Sequence, residues 1–146
     1  MSVASVIGYL LSGNSGNNPN AIGYTTTIPC IQSAPIASNT SLIAVNNAVI
    51  PKGKWLVGGT IGLLTEINTN RIDDYILTIE RNNVPVLSIA ESASYNSTNC
   101  NLPSLIFESD GTATFKLSLI ATTSAGNWQN RADGASNFIT LIKIAG

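Results

Sequence analysis

Apolar and polar positions alternate with a period of two in several stretches of this chain. Tyr75 to Arg81 sets Tyr75, Leu77 and Ile79 on one face and Ile76, Thr78 and Glu80 on the other. Thr112 to Thr123 sets Phe115, Leu117 and Leu119 against Lys116, Ser118 and Ile120. Both patterns predict strands with one buried and one open face. The longest apolar run, Lys54 to Thr65, follows a Pro51-Lys52-Gly53 turn and opens with Trp55. It predicts a central strand, with Gly58, Gly59 and Gly62 marking a bulge or the close approach of another backbone. Gly23 to Ile31 is rich in β-formers, and Pro29 assigns it to an edge. Ser41 to Ile50 reads as a hairpin or kinked strand pair around Asn46-Asn47. Val84 to Ala90, with Pro85 near an edge, pairs back across an Asn82-Asn83 turn. Leu102 to Phe107 is a short strand, and Ser109-Asp110-Gly111 a tight turn. Ser92 to Asn101 and Ser124 to Ala135 read as polar loops. Ser136 to Ala145 is a final strand that is apolar on both faces. No stretch carries a helical period. Roughly seven to nine short strands with turn-rich spacers predict an all-β, antiparallel sandwich.

Charge divides the chain differently. Residues 1–51 contain no Asp, Glu, Lys or Arg. Ser2 to Leu11 is apolar and Ser12 to Asn20 has linker composition, so residues 1–22 are assigned as an extended N-terminal arm with its tether and 23–146 as one domain. The arm's apolar residues, Val3, Val6, Ile7, Tyr9, Leu10 and Leu11, are candidates to lie against a partner. The doubly apolar last strand predicts an inner strand at a subunit interface, with Phe138, Leu141, Ile142 and Ile144 as its contacts.

Composition removes most chemistry. Charged residues make up 10% of the chain and the net charge is -1, which gives no electrostatic case for nucleic acid or a membrane surface. There are no histidines, so the commonest general base and metal ligand are missing. Cys30 and Cys100 read as small buried hydrophobes, too few for a structural zinc. Asp73-Asp74 and Glu108 with Asp110 read as turn and surface residues. No catalytic residue, metal site or cofactor is assigned. The N-terminus lacks a basic leader region, which points to synthesis in a cytoplasm. Trp55 is expected in the core. Tyr95, Trp128 and Arg131 form a possible surface binding loop, the alternative being that Trp128 folds back over the end of the sandwich.

The order of elements resembles the C1q/TNF-like trimeric jelly roll, in the form found in small bacteriophage virion proteins. Pro51, Gly53 and Trp55 match that family's Pro-x-Gly-x-aromatic turn into its long strand. Asn82-Asn83 matches its hairpin turn loosely, and Phe138 its Phe-led closing strand. Asp110-Gly111 stands in reversed order to the family's Gly-Asp. The likeness covers residues 40–146. It implies a compact homotrimer and a virion protein assembled in the host cytoplasm. The expected function is non-enzymatic: a capsid decoration (cement) protein whose arm contacts the major capsid protein or another virion protein. The alternative is the receptor- or glycan-binding tip of a phage fibre or spike.

Overall fold

The structure, a computed structural model, describes residues 18–131 and 137–146. Among the described residues there are ten strands: β1 (Thr25–Ile28), β2 (Ile36–Ala37), β3 (Ser41–Val49), β4 (Gly53–Thr65), β5 (Ile72–Arg81), β6 (Val84–Tyr95), β7 (Ser97–Ser109), β8 (Thr114–Thr123), β9 (Asn127–Asn130) and β10 (Asn137–Ala145). The larger sheet places β1, β10, β4 and β7 side by side. β9 continues along β4 past the end of β10, and β2 pairs with β9. The smaller sheet runs β3-β8-β5-β6. All pairs are antiparallel, which is the sandwich the alternation predicted, and the chain crosses repeatedly between the sheets, as in the jelly roll that the family resemblance implied.

β4 is the central element. Trp55, Val57, Ile61 and Leu63 are wholly buried and face Leu77, Ile79, Phe115 and Leu117 of the smaller sheet in one core. The Trp55 indole N–H donates to the Pro51 carbonyl at 2.9 Å, tying the turn to the strand. Gly59 has φ 137, and a Cβ there would collide with the Phe138 carbonyl oxygen. A register shift against β7 falls at the same point. This is the close backbone approach that the glycine pattern anticipated.

Turn chemistry follows the sequence. Asn82 and Asn83 both take positive φ, 51 and 62, as a two-residue hairpin turn of the primed kind requires. Asp110 Oδ1 accepts from the Thr112 amide and hydroxyl, at 2.8 and 2.7 Å. Asn46-Asn47 proves to be a kink within a single strand. Asn47 takes φ 53, and β3 shifts register twice against β8 instead of folding into a hairpin.

Two assigned loops are corrected. Ser92 to Asn101 is strand on both sides of Asn96, closing β6 and opening β7. These strands lie at sheet edges, where polar side chains meet water while the backbone stays paired. In Ser124 to Ala135, residues 127–130 form β9. Trp128 is wholly buried there, and its indole N–H donates to the Ala37 carbonyl at 3.2 Å. Asn130 is also buried: its amide oxygen accepts from the Ser33 N–H and its amide nitrogen donates to the Ile31 carbonyl, both at 2.8 Å. A polar residue that supplies backbone-like bonds inside the fold has no hydropathy signal.

Candidate functional site

The candidate site is the outward face of the larger sheet. Strand alternation puts Trp55 and Val57 inward, so Lys54, Leu56, Gly58 and Thr60 point outward. Ladder pairing aligns Ile142 with Leu56 and Leu56 with Ile106, a stripe across three strands. Thr140 pairs with Gly58 and Phe138 with Thr60 beside it. Ile106 is 46% exposed and Phe138 40%. Leu56 and Ile144 form a small cluster with Ile22 and Ile142, separate from the main core. A Cβ on Gly58 would meet nothing within 4 Å, so the face is open at its middle. Thr60 and Asn101 hydrogen-bond across the strands at 3.1 Å. The charged pair Lys54–Glu108, 3.0 Å apart, closes one end. The stripe itself carries no charge.

The described chain enters at the rim of this face. Ile22 packs on the Leu56–Ile144 cluster. Lys143, 5% exposed, donates from Nζ to the Pro19 carbonyl at 3.1 Å and lies 5.5 Å from the centre of the Trp55 ring. Its backbone holds Gly23 and Tyr24.

The residues assigned from sequence divide accordingly. Phe138 and Ile142 face outward as an interface requires. Leu141, 1% exposed, belongs to the subunit's own core, which corrects its assignment to a contact surface. Ile144 is buried in the rim cluster. Both faces of β10 are apolar because one serves the core and the other this stripe. Tyr95 is 72% exposed at the end of β6, and Arg131 follows β9. Trp128 turns into the core, so the surface loop of Tyr95, Trp128 and Arg131 loses its central member. Val3, Val6, Ile7, Tyr9, Leu10 and Leu11 lie outside the described residues. Leu56, Ile106 and Thr140 went unassigned in the sequence, although the alternation that buries Trp55 and Phe107 already places Leu56 and Ile106 on the opposite face.

Several charged groups elsewhere are engaged locally. A cleft of about 460 Å³ is lined by Gly53, Lys54, Arg81, Glu108 and Asp110. There Lys54 pairs with Glu108, and the Arg81 guanidinium donates to the Glu108 carbonyl at 2.7 Å. Hydrogen bonds from Thr112 hold the Asp110 carboxyl below its usual range. Asp73 pairs with Arg71 at 2.7 Å, and the Thr122 hydroxyl donates to Asp74 at 2.5 Å. Among the described residues, no three of His, Cys, Asp and Glu group as metal ligands would. Cys30 and Cys100 are free thiols that burial pushes up to about 11 and about 12. Burial, then the hydrogen bond it donates to Glu91 at 2.7 Å, pushes the Tyr75 phenol up.

No protein-family model matches this chain, and no curated protein matches it. Solved structures do resemble it. A chain from the structure of infectious bursal disease virus, Gx strain, matches over 84% of this chain and 32% of its own, with 15% identity and a TM-score of 0.51. The Eiger TNF of S. frugiperda matches over 81% of this chain and 94% of its own, at 18% identity and TM-score 0.44. The insecticidal delta-endotoxin Cry8Ea1 of Bacillus thuringiensis matches over 75% and 19%, at 19% identity and TM-score 0.46. This chain thus spans a third or less of the toxin and viral chains. At these identities the likeness is one of fold. With the strand order, the likeness to the viral chain at TM-score 0.51 places the protein among jelly-roll β-sandwiches.

Proposed function

We propose that this protein is a non-enzymatic structural component of a virus particle: a homotrimeric capsid decoration (cement) protein on a bacteriophage head. The observation that carries the reading is the outward face of the larger sheet, where Ile142, Leu56, Ile106 and Phe138 form a charge-free stripe at the rim of which the uncharged N-terminal residues join the domain. A stripe of this kind suits burial against further copies of the chain about a three-fold axis. The N-terminal residues then make contacts beyond their own subunit, with the major capsid protein or a neighbouring copy. Buried apolar area contributes roughly 25 cal/mol per Å². Repetition over a symmetric lattice multiplies that contribution. A virus chain that shares the fold is consistent with this role. The alternative, a glycan- or receptor-binding fibre tip, is left with Tyr95 as an exposed aromatic but without Trp128, which is core.

Light scattering of the purified chain is the first test, with three times the chain mass expected. Co-sedimentation with undecorated particles is the second. Deleting Met1 to Leu11 should leave a folded trimer that no longer sediments with particles. A monomeric wild-type protein, or a truncated one that still decorates, would sink the reading.

A further inference from the structure

The turn Ser109-Asp110-Gly111 carries a chemically labile bond. In an Asp-Gly pair no side chain on the second residue shields its nitrogen from the aspartate carboxyl. That nitrogen can lose its proton and attack Cγ. A C–N bond forms, the carboxyl loses one oxygen as water, and a five-membered succinimide results. Water then opens the ring at either carbonyl, which returns aspartate or yields isoaspartate. The overall change is an isomerisation that needs water alone. The fold nevertheless requires this pair. Gly111 takes φ 103, which residues with a side chain rarely adopt. Asp110 Oδ1 holds the Thr112 amide and hydroxyl within the turn. Asp110 is exposed to water, and the turn joins β7 of the larger sheet to β8 of the smaller one. Isoaspartate at this position would add a methylene to the main chain between the two sheets.

Hydrogen bonds restrain both reacting groups. The Gly111 N–H donates to Ser109 Oγ at 3.0 Å. That hydroxyl donates its own proton to the Ile50 carbonyl at 2.7 Å, so toward the glycine amide it acts as an acceptor. Ser109 and Ile50 are 7% and 1% exposed, and the Ile50 amide donates to the Ala113 carbonyl at 2.9 Å. The acceptor is therefore fixed by buried structure. Across the turn, the Thr112 bonds lower the Asp110 pKa and hold the carboxyl as an anion, from which an oxygen leaves poorly. We propose that Asp110-Gly111 is a guarded modification site: Ser109, anchored on Ile50, restrains the Gly111 amide and so suppresses isoaspartate formation in the folded protein. Reaction then waits on local opening of the turn. Such a guard suits a protein that must persist in a particle outside a cell, where no repair enzyme acts. The inference itself holds whether or not the chain is a virion component.

Prolonged incubation of the full-length protein near neutral pH tests this. Isoaspartate is counted in the tryptic peptide 82–116, where Asp110 is the sole aspartate. It should form at least about tenfold more slowly in the folded wild type than in the same chain unfolded in guanidinium. Ser109→Ala removes the acceptor and should raise the folded-state rate about tenfold, the effect of one lost hydrogen bond on local opening. Trp128→Phe weakens the opposite end of β4, where Trp128 pairs with Thr65, and should leave the rate at the wild-type value. Equal rates in folded and unfolded wild type, or in Ser109→Ala and wild type, would overturn the proposal. Equal acceleration in Ser109→Ala and Trp128→Phe would assign the protection to global stability and overturn it as well. Hydrogen exchange of the Gly111 amide in the wild type decides the matter if Ser109→Ala does not fold. That amide should exchange at least about tenfold more slowly than in an unstructured chain, and an unprotected amide would overturn the proposal.

Discussion

The two sheets turn outward faces of similar apolar content to their surroundings and differ in where charge sits. On the smaller sheet, Ile43 and Ile76 are 42% and 43% exposed, close to Phe138 and Ile106 on the larger one. The smaller sheet interleaves them with Asp74, Glu80 and Lys116; the last two pair at 3.6 Å. The larger sheet confines its charge to Lys54 and Glu108 at one end and fills the middle with threonine, glycine and an apolar stripe. Desolvating a charge costs far more than desolvating a threonine that keeps its hydrogen bond. The larger face is therefore the cheaper one to bury. Apolar content alone does not identify an interface; the placement of charge does.

The most severe way to break this comparison is to lift β10 from β4. Gly59→Ala places a Cβ against the Phe138 carbonyl and forces a backbone shift at positive φ. A loss of about 4 kcal/mol is expected in denaturant unfolding, or no folded protein at all. Next comes the direct test of the two faces. Ile106→Glu should weaken self-association at least about a hundredfold, read as a fall in light-scattering mass, while changing monomer stability by less than about 0.5 kcal/mol. Ile76→Glu, at matched exposure on the smaller sheet, should leave the mass unchanged. If both substitutions act alike, charge placement is not what separates the faces.

Trp128→Phe removes the bond to Ala37 and part of the core volume. It should cost about 2 kcal/mol in thermal unfolding, whereas a surface residue would cost almost nothing. Lys143→Met keeps the packing on Trp55 but deletes the bond to Pro19. About 1 kcal/mol is expected, together with faster chymotryptic cleavage at Tyr24. The smallest effect belongs to Asp110, which closes the turn into the smaller sheet. Its folded pKa is lowered, so its contribution is present above the ordinary carboxylate pKa of about 3.9 and is lost as pH falls through the lower folded value. The stability gap between wild type and Asp110→Asn should be visible at pH 6 and narrow below pH 3.

Much of this fold was legible in the chain because strand alternation is a local signal. The inward sets Tyr75, Leu77, Ile79 and Phe115, Leu117, Leu119 are all buried. The Asn82-Asn83 turn was legible for the same reason, since its two positive φ angles depend on those residues alone. The candidate face was half legible. Phe138 and Ile142, assigned from sequence to a subunit contact, do lie on the outward side of the sheet. Leu141, assigned with them, does not: an apolar residue on a doubly apolar strand does not reveal which side holds the core.

By itself the sequence determined the strand periods, the turn conformations, the charge-free N-terminal third and the scarcity of acid–base chemistry. Each is a property of single residues or of near neighbours. The tertiary structure alone decided that Ser92 to Asn101 is paired backbone, that Trp128 is core, and that Leu56 lines up with Ile142 and Ile106. Those facts depend on partners brought from distant parts of the chain. Polar strand-edge residues and buried amides such as Asn130 carry their signal in the hydrogen bonds they make, and those bonds exist only once the sheets have formed.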